Sequence, residues 1–341
     1  MGEMIPLYGF GGKSGRASST LTITAPVGAT VTVSKDGKSK PSKVATTGTV
    51  VFKELETGTW TITITNGTDT ATKTVEIKAD YQAAISFSTI PDFTYTGDFE
   101  IVSDDDQPIT VSQGNWKIRF LTSGTLIFTN LNGAENGIDV FLVGGGGGGS
   151  RAAGGGGYTK TLKAVKVTVG TAYAIEVGAG GIAGVGNSKA GSSGGTSNAF
   201  GVSANGGEAK TNGASSYVGS NGGSGGGAGS SNGAGGQGGS DGSDGFHRDG
   251  THRDSGTGQG ATTREFGESG GKLYAGGGGG VGTTTPANGG AGGGGAGGST
   301  SGGATSGETN TGGGGGGAAN NKAGGSGGSG IVVIRNTRRA A

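Results

Sequence analysis

Apolar and polar residues alternate with a period of two through much of the first 80 positions. Leu21-Thr22-Ile23, Val31-Thr32-Val33 and Trp60-Thr61-Ile62-Thr63-Ile64 all follow it. That period places Trp60, Ile62 and Ile64 on one face of a strand and the threonines on the other. Turn-forming residues separate the runs at Lys35-Asp36-Gly37, Glu56-Thr57-Gly58 and Asn66-Gly67-Thr68. The pattern predicts five short strands with one buried face.

Strands at this spacing predict an Ig-like β-sandwich module over 18–79, preceded by an N-terminal segment at 1–17. Residues 80–114 read as a β connector. Within it, Phe93-Thr94-Tyr95 and Phe99-Glu100-Ile101 flank Gly97-Asp98 as a hairpin would. Trp116 to Phe120 and Leu126-Ile127-Phe128 flank Ser123-Gly124 in the same way. Asp104-Asp105-Asp106, three adjacent carboxylates before Gln-Pro, are expected in a solvated loop.

The character of the chain then changes. Ile138-Asp139-Val140-Phe141-Leu142-Val143 runs straight into Gly144–Gly149, and more glycine runs follow at 154–157, 276–280, 292–295 and 312–317. The chain closes on Ile331-Val332-Val333-Ile334-Arg335, an apolar run expected to be buried on both faces. A disordered glycine tail has no need of four consecutive aliphatics at its end. Pairing of 331–334 with 138–143 would pin both ends of the glycine region, so 115–336 is predicted to be one folded domain with a short tail at 337–341.

Glycine supplies 87 of the 341 residues, and more than one-third of the positions after 143. Only Pro286 represents proline there, and no Gly-X-Y register exists, which excludes collagen. Glycine gives no side chain to bury and loses much backbone entropy on folding. A glycine core must therefore recover stability through backbone hydrogen bonds between closely packed segments. Polyglycine II helices, with three residues per turn and outward amides, meet that need. The expected fold class is all-β: an Ig-like β-sandwich followed by a strand-framed glycine-rich domain with polyglycine II helices.

Several function classes are excluded or disfavoured. The absence of cysteine rules out disulfides and thiolate metal sites. No run reaches the ~18–20 apolar residues of a membrane span, so no membrane insertion is expected. A net charge of +1 gives no basic field for nucleic acid. MGEMIPLYGFGGKSGR has no basic region leading into an apolar one, so no secretory signal peptide is expected. Gly144–Gly149 fits a dinucleotide-loop pattern, and Ser193, Ser224 and Ser326 fit GxSxG, but neither sits in the strand-turn-helix setting its chemistry requires. No nucleophile-base-orienter arrangement is visible. The chain is expected to be no enzyme and to use no cofactor.

Chemistry concentrates between Asp241 and Tyr274. His247-Arg248-Asp249 and His252-Arg253-Asp254 form a tandem near-copy around Gly250-Thr251. Spacing of five puts the histidines on opposite faces of a strand and ~140° apart on a helix, so a metal site is not expected. Phe246, His247, Arg248, Asp249, His252, Arg253 and Asp254 combine planar stacking with directional hydrogen bonding, which suits recognition by a loop. Arg264-Glu265-Phe266 and Lys272-Leu273-Tyr274 read instead as a structural hairpin that packs Phe266 and Tyr274.

The succession IDVFLVGGGGGG, GGGGYTKTL, YAIEVGAGG, TTREFGESGGKLYAGGGGG and GGSGIVVIRN resembles glycine-rich domains of phage and prophage tail-fibre and tip-adhesin proteins of the polyglycine II type. That resemblance, over roughly 115–336, implies a virion-associated attachment protein that binds a host cell-surface glycan or outer-surface protein through loops on a rigid scaffold. It implies a place on the extracellular phage particle, with the N-terminal module contacting other virion proteins. It also raises a homotrimer, since fibres are often trimeric, although no coiled-coil pattern is present. The alternatives are a virion structural protein without a receptor role, such as a head fibre or collar decoration, and a bacterial cell-surface adhesin.

Overall fold

A computed structural model of the chain describes residues 19–66, 69–78, 82–86, 90–109, 114–186, 188–209, 217–230 and 233–337. The N-terminal segment at 1–17, the middle of the turn at Gly67-Thr68 and the tail residues 338–341 lie outside the described residues. Those described are all-β, with no α-helix. They form two compact units, one up to residue 86 and the other from residue 90.

In the first unit, β1 (Thr20–Thr24) sits between β5 (Thr49–Lys53), antiparallel, and β8 (Gln82–Ser86), parallel. A second sheet runs β3 (Lys38–Ser39), β2 (Thr30–Lys35), β6 (Gly58–Asn66) and β7 (Asp69–Ile77), with β4 (Lys43–Val44) also paired to β2. Leu21, Ile23, Val50 and Phe52 of one sheet share a core with Val31, Val33, Trp60, Ile62 and Ile64 of the other. The period-two alternation thus buries the expected face. Asp36 and Gly37 both take positive φ in the tight β2–β3 turn.

The second unit begins with two five-stranded sheets. One runs β10 (Phe99–Val102), β11 (Lys117–Phe120), β18 (Ile331–Asn336), β13 (Ile138–Val143) and β14 (Thr159–Val165). The other runs β17 (Val202–Ala204), β16 (Ser197–Ala199), β15 (Ala172–Glu176), β12 (Gly124–Asn130) and β9 (Asp92–Tyr95). The closing strand does pair with β13, Val140 facing Ile334 and Val143 facing Ile331. Ile118, Phe120, Val140, Leu142, Val332 and Ile334 meet Leu126, Phe128 and Ile175 between the sheets. On the opposite face of the first sheet, Phe141, Val143, Ile331 and Val333 pack against Phe266 and Tyr274. Both faces of β13 and β18 are therefore buried, which accounts for their unbroken apolar character.

Two expected hairpins do not form. β9 pairs with β12 and β10 pairs with β11, so each expected hairpin instead crosses from one sheet to the other. The two crossings run together at a shared corner. A Cβ on Gly97 would strike the Ser123 carbonyl, and one on Gly124 would strike the Gly97 amide. Thr122 Oγ1 accepts from the Asp98 amide at 2.7 Å to hold the corner. Glycine serves backbone approach here, which leaves the same mark in sequence as a tight turn. Within 80–114, β8 thus belongs to the first unit's sheet and β9 and β10 to the second unit's sheets.

Beyond the sheets the glycine runs form extended rods joined mainly by backbone hydrogen bonds. Gly144 and Gly147 donate to Tyr158 and Gly155, Gly145 and Gly148 to Gly195 and Ser192, and Gly146 and Gly149 to Gly328 and Gly325. Each neighbour is addressed every third residue. Carbonyls of the same run accept from Gly181 and Gly184, from Gly315 and from Gly207, and the next carbonyl, that of Ser150, accepts from Ala318. Six segments therefore surround 144–149. A Cβ on Gly146 would stand well inside van der Waals distance of the Gly313 carbonyl oxygen, and one on Gly148 would meet that of Ile182. Only glycine allows this spacing.

Candidate functional site

Rod direction decides where the turns lie. The run 144–149 leaves β13 and heads away from the sheets. Rod 312–317 runs parallel to it, Gly315 donating to Gly147 and Ala318 to Ser150. Parallel pairing carries the same direction onward to 276–281 (Gly314 to Gly276, Gly317 to Gly279) and to 225–230 (Gly227 to Gly278, Ser230 to Val281). It then reaches 243–246 (Gly225 to Ser243, Ala228 to Phe246). The turns that end these outward rods, among them 150–152, 282–285, 318–322 and 248–253, thus gather at the end remote from the sheets. The chain enters this unit at residue 90, just before β9, at the sheet end.

The residues nominated for recognition occupy one of these turns. His247 N donates to Thr251 O at 2.6 Å and Gly250 N to His247 O at 3.0 Å, with Gly250 at φ +83°. Asp249 organises the loop. Its carboxylate accepts from Thr251 N at 3.1 Å and Thr251 Oγ1 at 2.7 Å, and from Arg253 Nη2 at 2.8 Å. The Thr251 hydroxyl first and the Arg253 guanidinium second hold this exposed carboxyl well below the usual carboxylate range. Phe246 and His252 stack with ring centroids 4.5 Å apart. Arg248 and Asp254 are exposed, and the Asp254 backbone, at φ +54°, accepts from Gly219 N at 3.0 Å.

The histidines do not converge. His252 Nδ1 lies 2.8 Å from the Gly245 carbonyl, while His247 Nδ1 lies 3.1 Å from Asp249 Oδ1. Among the described residues no three His, Asp or Glu side chains come together as a metal site would require. Other far turns add Lys189, Lys322 and a run of hydroxyls at Thr283-Thr284-Thr285 and Ser299-Thr300-Ser301. Arg151 lies beneath them, its guanidinium 4.4 Å over the Tyr217 ring and its Nη2 2.6 Å from the Tyr217 hydroxyl.

A second polar feature lies at the sheet end. Arg264 and Leu273 bridge, and Phe266 and Tyr274 are buried, as the sequence predicts for that segment. It straps the outer face of the first sheet with buried ion pairs. Lys117 Nζ bonds Glu265 Oε2 at 2.8 Å and also reaches Asp106. Arg335 bonds Asp139 at 3.2 Å and Glu268 at 2.8 Å. Asp106 is therefore no solvated loop residue. Burial pushes its carboxyl up, but hydrogen bonds from Arg119 and Lys117 outweigh this and leave it below its ordinary value.

These groups border a cleft of about 600 Å³ between the Asp104–Asp106 turn and the strap. No serine, cysteine or histidine lines it, and its buried charges are spent on one another. The cluster holds the strap to the sheet. Its signal in the sequence is charge inside otherwise buried strands: Lys117 and Arg119 alternate with Ile118 and Phe120, and Asp139 and Arg335 interrupt the two apolar runs.

None of the curated proteins searched matches the chain. A family model described as a glycine-rich domain matches residues 121–337, from the residue after β11 to the end of the closing strand. That match covers well over half of the sequence, and the chain belongs to this glycine-rich domain family.

Proposed function

We propose that this chain is a virion-associated attachment protein that contacts a host cell-surface receptor through the far turns of its rod bundle. The gathering of those turns at one end, opposite the sheets through which the chain enters, carries this reading. Recognition commonly resides in loops held by a stiff scaffold, and the turn 247–254 offers Phe246, Arg248, His252 and Arg253 on such a frame. We infer that the rods are polyglycine II helices; hydrogen bonds that return to the same neighbour every third residue support this. The first unit reads as an Ig-like sandwich, supported by two sheets over one core with Trp60 inside it. Its role in this proposal is to join the chain to other virion proteins.

Purified protein applied to a panel of bacterial strains should adsorb to the host and compete with the phage for it. Replacing 248–253 by a short glycine-serine turn should abolish that competition. Unchanged adsorption by this variant would remove the loop from the site; absence of adsorption by the intact protein to any phage-sensitive strain would remove the attachment role.

A further inference from the structure

Charge is distributed unevenly along the rods. At the sheet end exposed acidic groups, among them Asp98, Asp104, Asp105, Asp241, Glu176 and Glu308, outnumber the exposed lysines Lys160, Lys163, Lys166 and Lys272. At the far end the exposed charged residues described are Lys189, Arg248, Arg253 and Lys322 against Asp249 and Asp254. Asp249 is already bonded to Arg253. Lys189, Arg248 and Lys322 form no ion pair among the described residues, and Arg151 adds a further positive charge just below the surface.

The cations occupy both sides of that end. Lys189 and Lys322 lie in adjacent turns, where Gly186 N donates to Lys322 O and Val185 bridges Ala323. Arg248 and Arg253 lie in the turn reached through rods 276–281 and 225–230, at the opposite side. Hydroxyl-bearing turns at 283–285 and 299–301 lie in the same end, Thr300 Oγ1 bonding Thr283 O at 3.1 Å. Separated cations with hydroxyl donors suit an extended chain carrying repeated negative charge better than a small compact anion.

From this polarity we infer that the far end recognises a polyanionic surface glycan, one that bears phosphate or carboxylate groups along its length. The inference rests on the attachment reading and names the class of its receptor. The same asymmetry orients the unit during approach: an anionic surface attracts the far end and repels the sheet end, over distances limited by the ~8–10 Å screening length of physiological salt.

The test uses the full chain and three immobilised probes: inorganic polyphosphate, polygalacturonate and neutral dextran. The intact protein should be retained on one or both polyanions, released by rising salt, and not retained on dextran; which polyanion binds more tightly tells phosphate from carboxylate. The variant K189Q/R248Q/K322Q should bind roughly tenfold or more weakly, since each cation near a polyanion adds about a factor of five. The variant K160Q/K163Q/K166Q removes the same charge from the edge strand β14 and the residue that follows it, and should bind as the intact protein does. Equal retention on dextran, full binding by the far-end variant, or equal loss by the β14 variant would each overturn the inference. Cell adsorption separates the two readings. Equal adsorption of the intact and far-end variants keeps the attachment role and overturns the polyanion. Failure of the intact protein to adsorb, with retention on polyanions through the far end, does the reverse.

Discussion

The Arg335 guanidinium lies 4.0 Å over the ring of Phe266 and at the same time bonds the carboxylates of Asp139 and Glu268. Phe266 takes φ +56°, an uncommon conformation for an aromatic residue. Its ring is packed by two neighbours, Arg335 stacked on it and Phe141 with its centroid 5.9 Å away. One side chain at the end of the closing strand thus fixes the strap, the sheet and a buried acid together.

Removing that side chain should be costly because Asp139 is only 1% exposed. In Arg335→Met the Asp139 charge loses its partner, which costs about 3–5 kcal/mol for a buried pair. Denaturant unfolding should show a loss of that size. Arg335→Met combined with Asp139→Leu should recover much of it, since both charges then leave the interior.

Substitutions within rods and turns should differ sharply. Gly146→Ala forces a methyl against the Gly313 carbonyl, with backbone on both sides and nowhere to relax. It should lower the melting temperature by many degrees or prevent folding. Gly302→Ala, in a far turn, meets only Ser299 Oγ at 3.7 Å. That change should be neutral or stabilise by a few tenths of a kcal/mol through the unfolded chain. Paired thermal melts of the two variants provide the comparison.

Tyr95 should titrate late. Burial first, and the negative charge of Asp98 second, push its phenol up to about 12 from an ordinary value of 10.0. Because the folded value is raised, the stabilising contribution is complete below about pH 10 and is lost as the pH rises through about 12. Ultraviolet titration should show a tyrosinate step near 12 that Tyr95→Phe removes. The variant should also lose less stability across that window.

Asp249 organises its loop through bonds to Thr251 and Arg253. Asp249→Asn keeps the Thr251 contacts possible but removes the ion pair with Arg253. Global stability should change little, since the loop is exposed, while proteolysis at Arg248 and Arg253 should accelerate. Equal cleavage rates would show that the loop holds its shape without that carboxylate.

The sequence revealed much of the frame and little of its arrangement. Trp60, Ile62 and Ile64 announce their buried face because alternation survives in any sheet order, and Ile331–Ile334 must lie between two layers because no strand with one wet face has that composition. Gly97 and Gly124 misled because a crossing corner and a hairpin turn place the same residue at the end of a strand. Lys117 and Glu265, or Arg335 and Asp139, lie far apart in the chain, so each looks like an isolated charge until pairing brings them together. The island at 246–254 was legible as the place where glycine gives way. Its position at one end of the bundle depends on rod directions, which no local pattern records.

A rod that meets a given neighbour every third residue has a phase as well as a length. Inserting one residue within 144–149 would rotate all later amides by about a third of a turn and aim each at the wrong rod. An insertion of three would leave the aim unchanged. The turns obey no such rule. Length can therefore change inside the bundle only in steps of three, while the far turns can gain or lose residues one at a time without disturbing the scaffold.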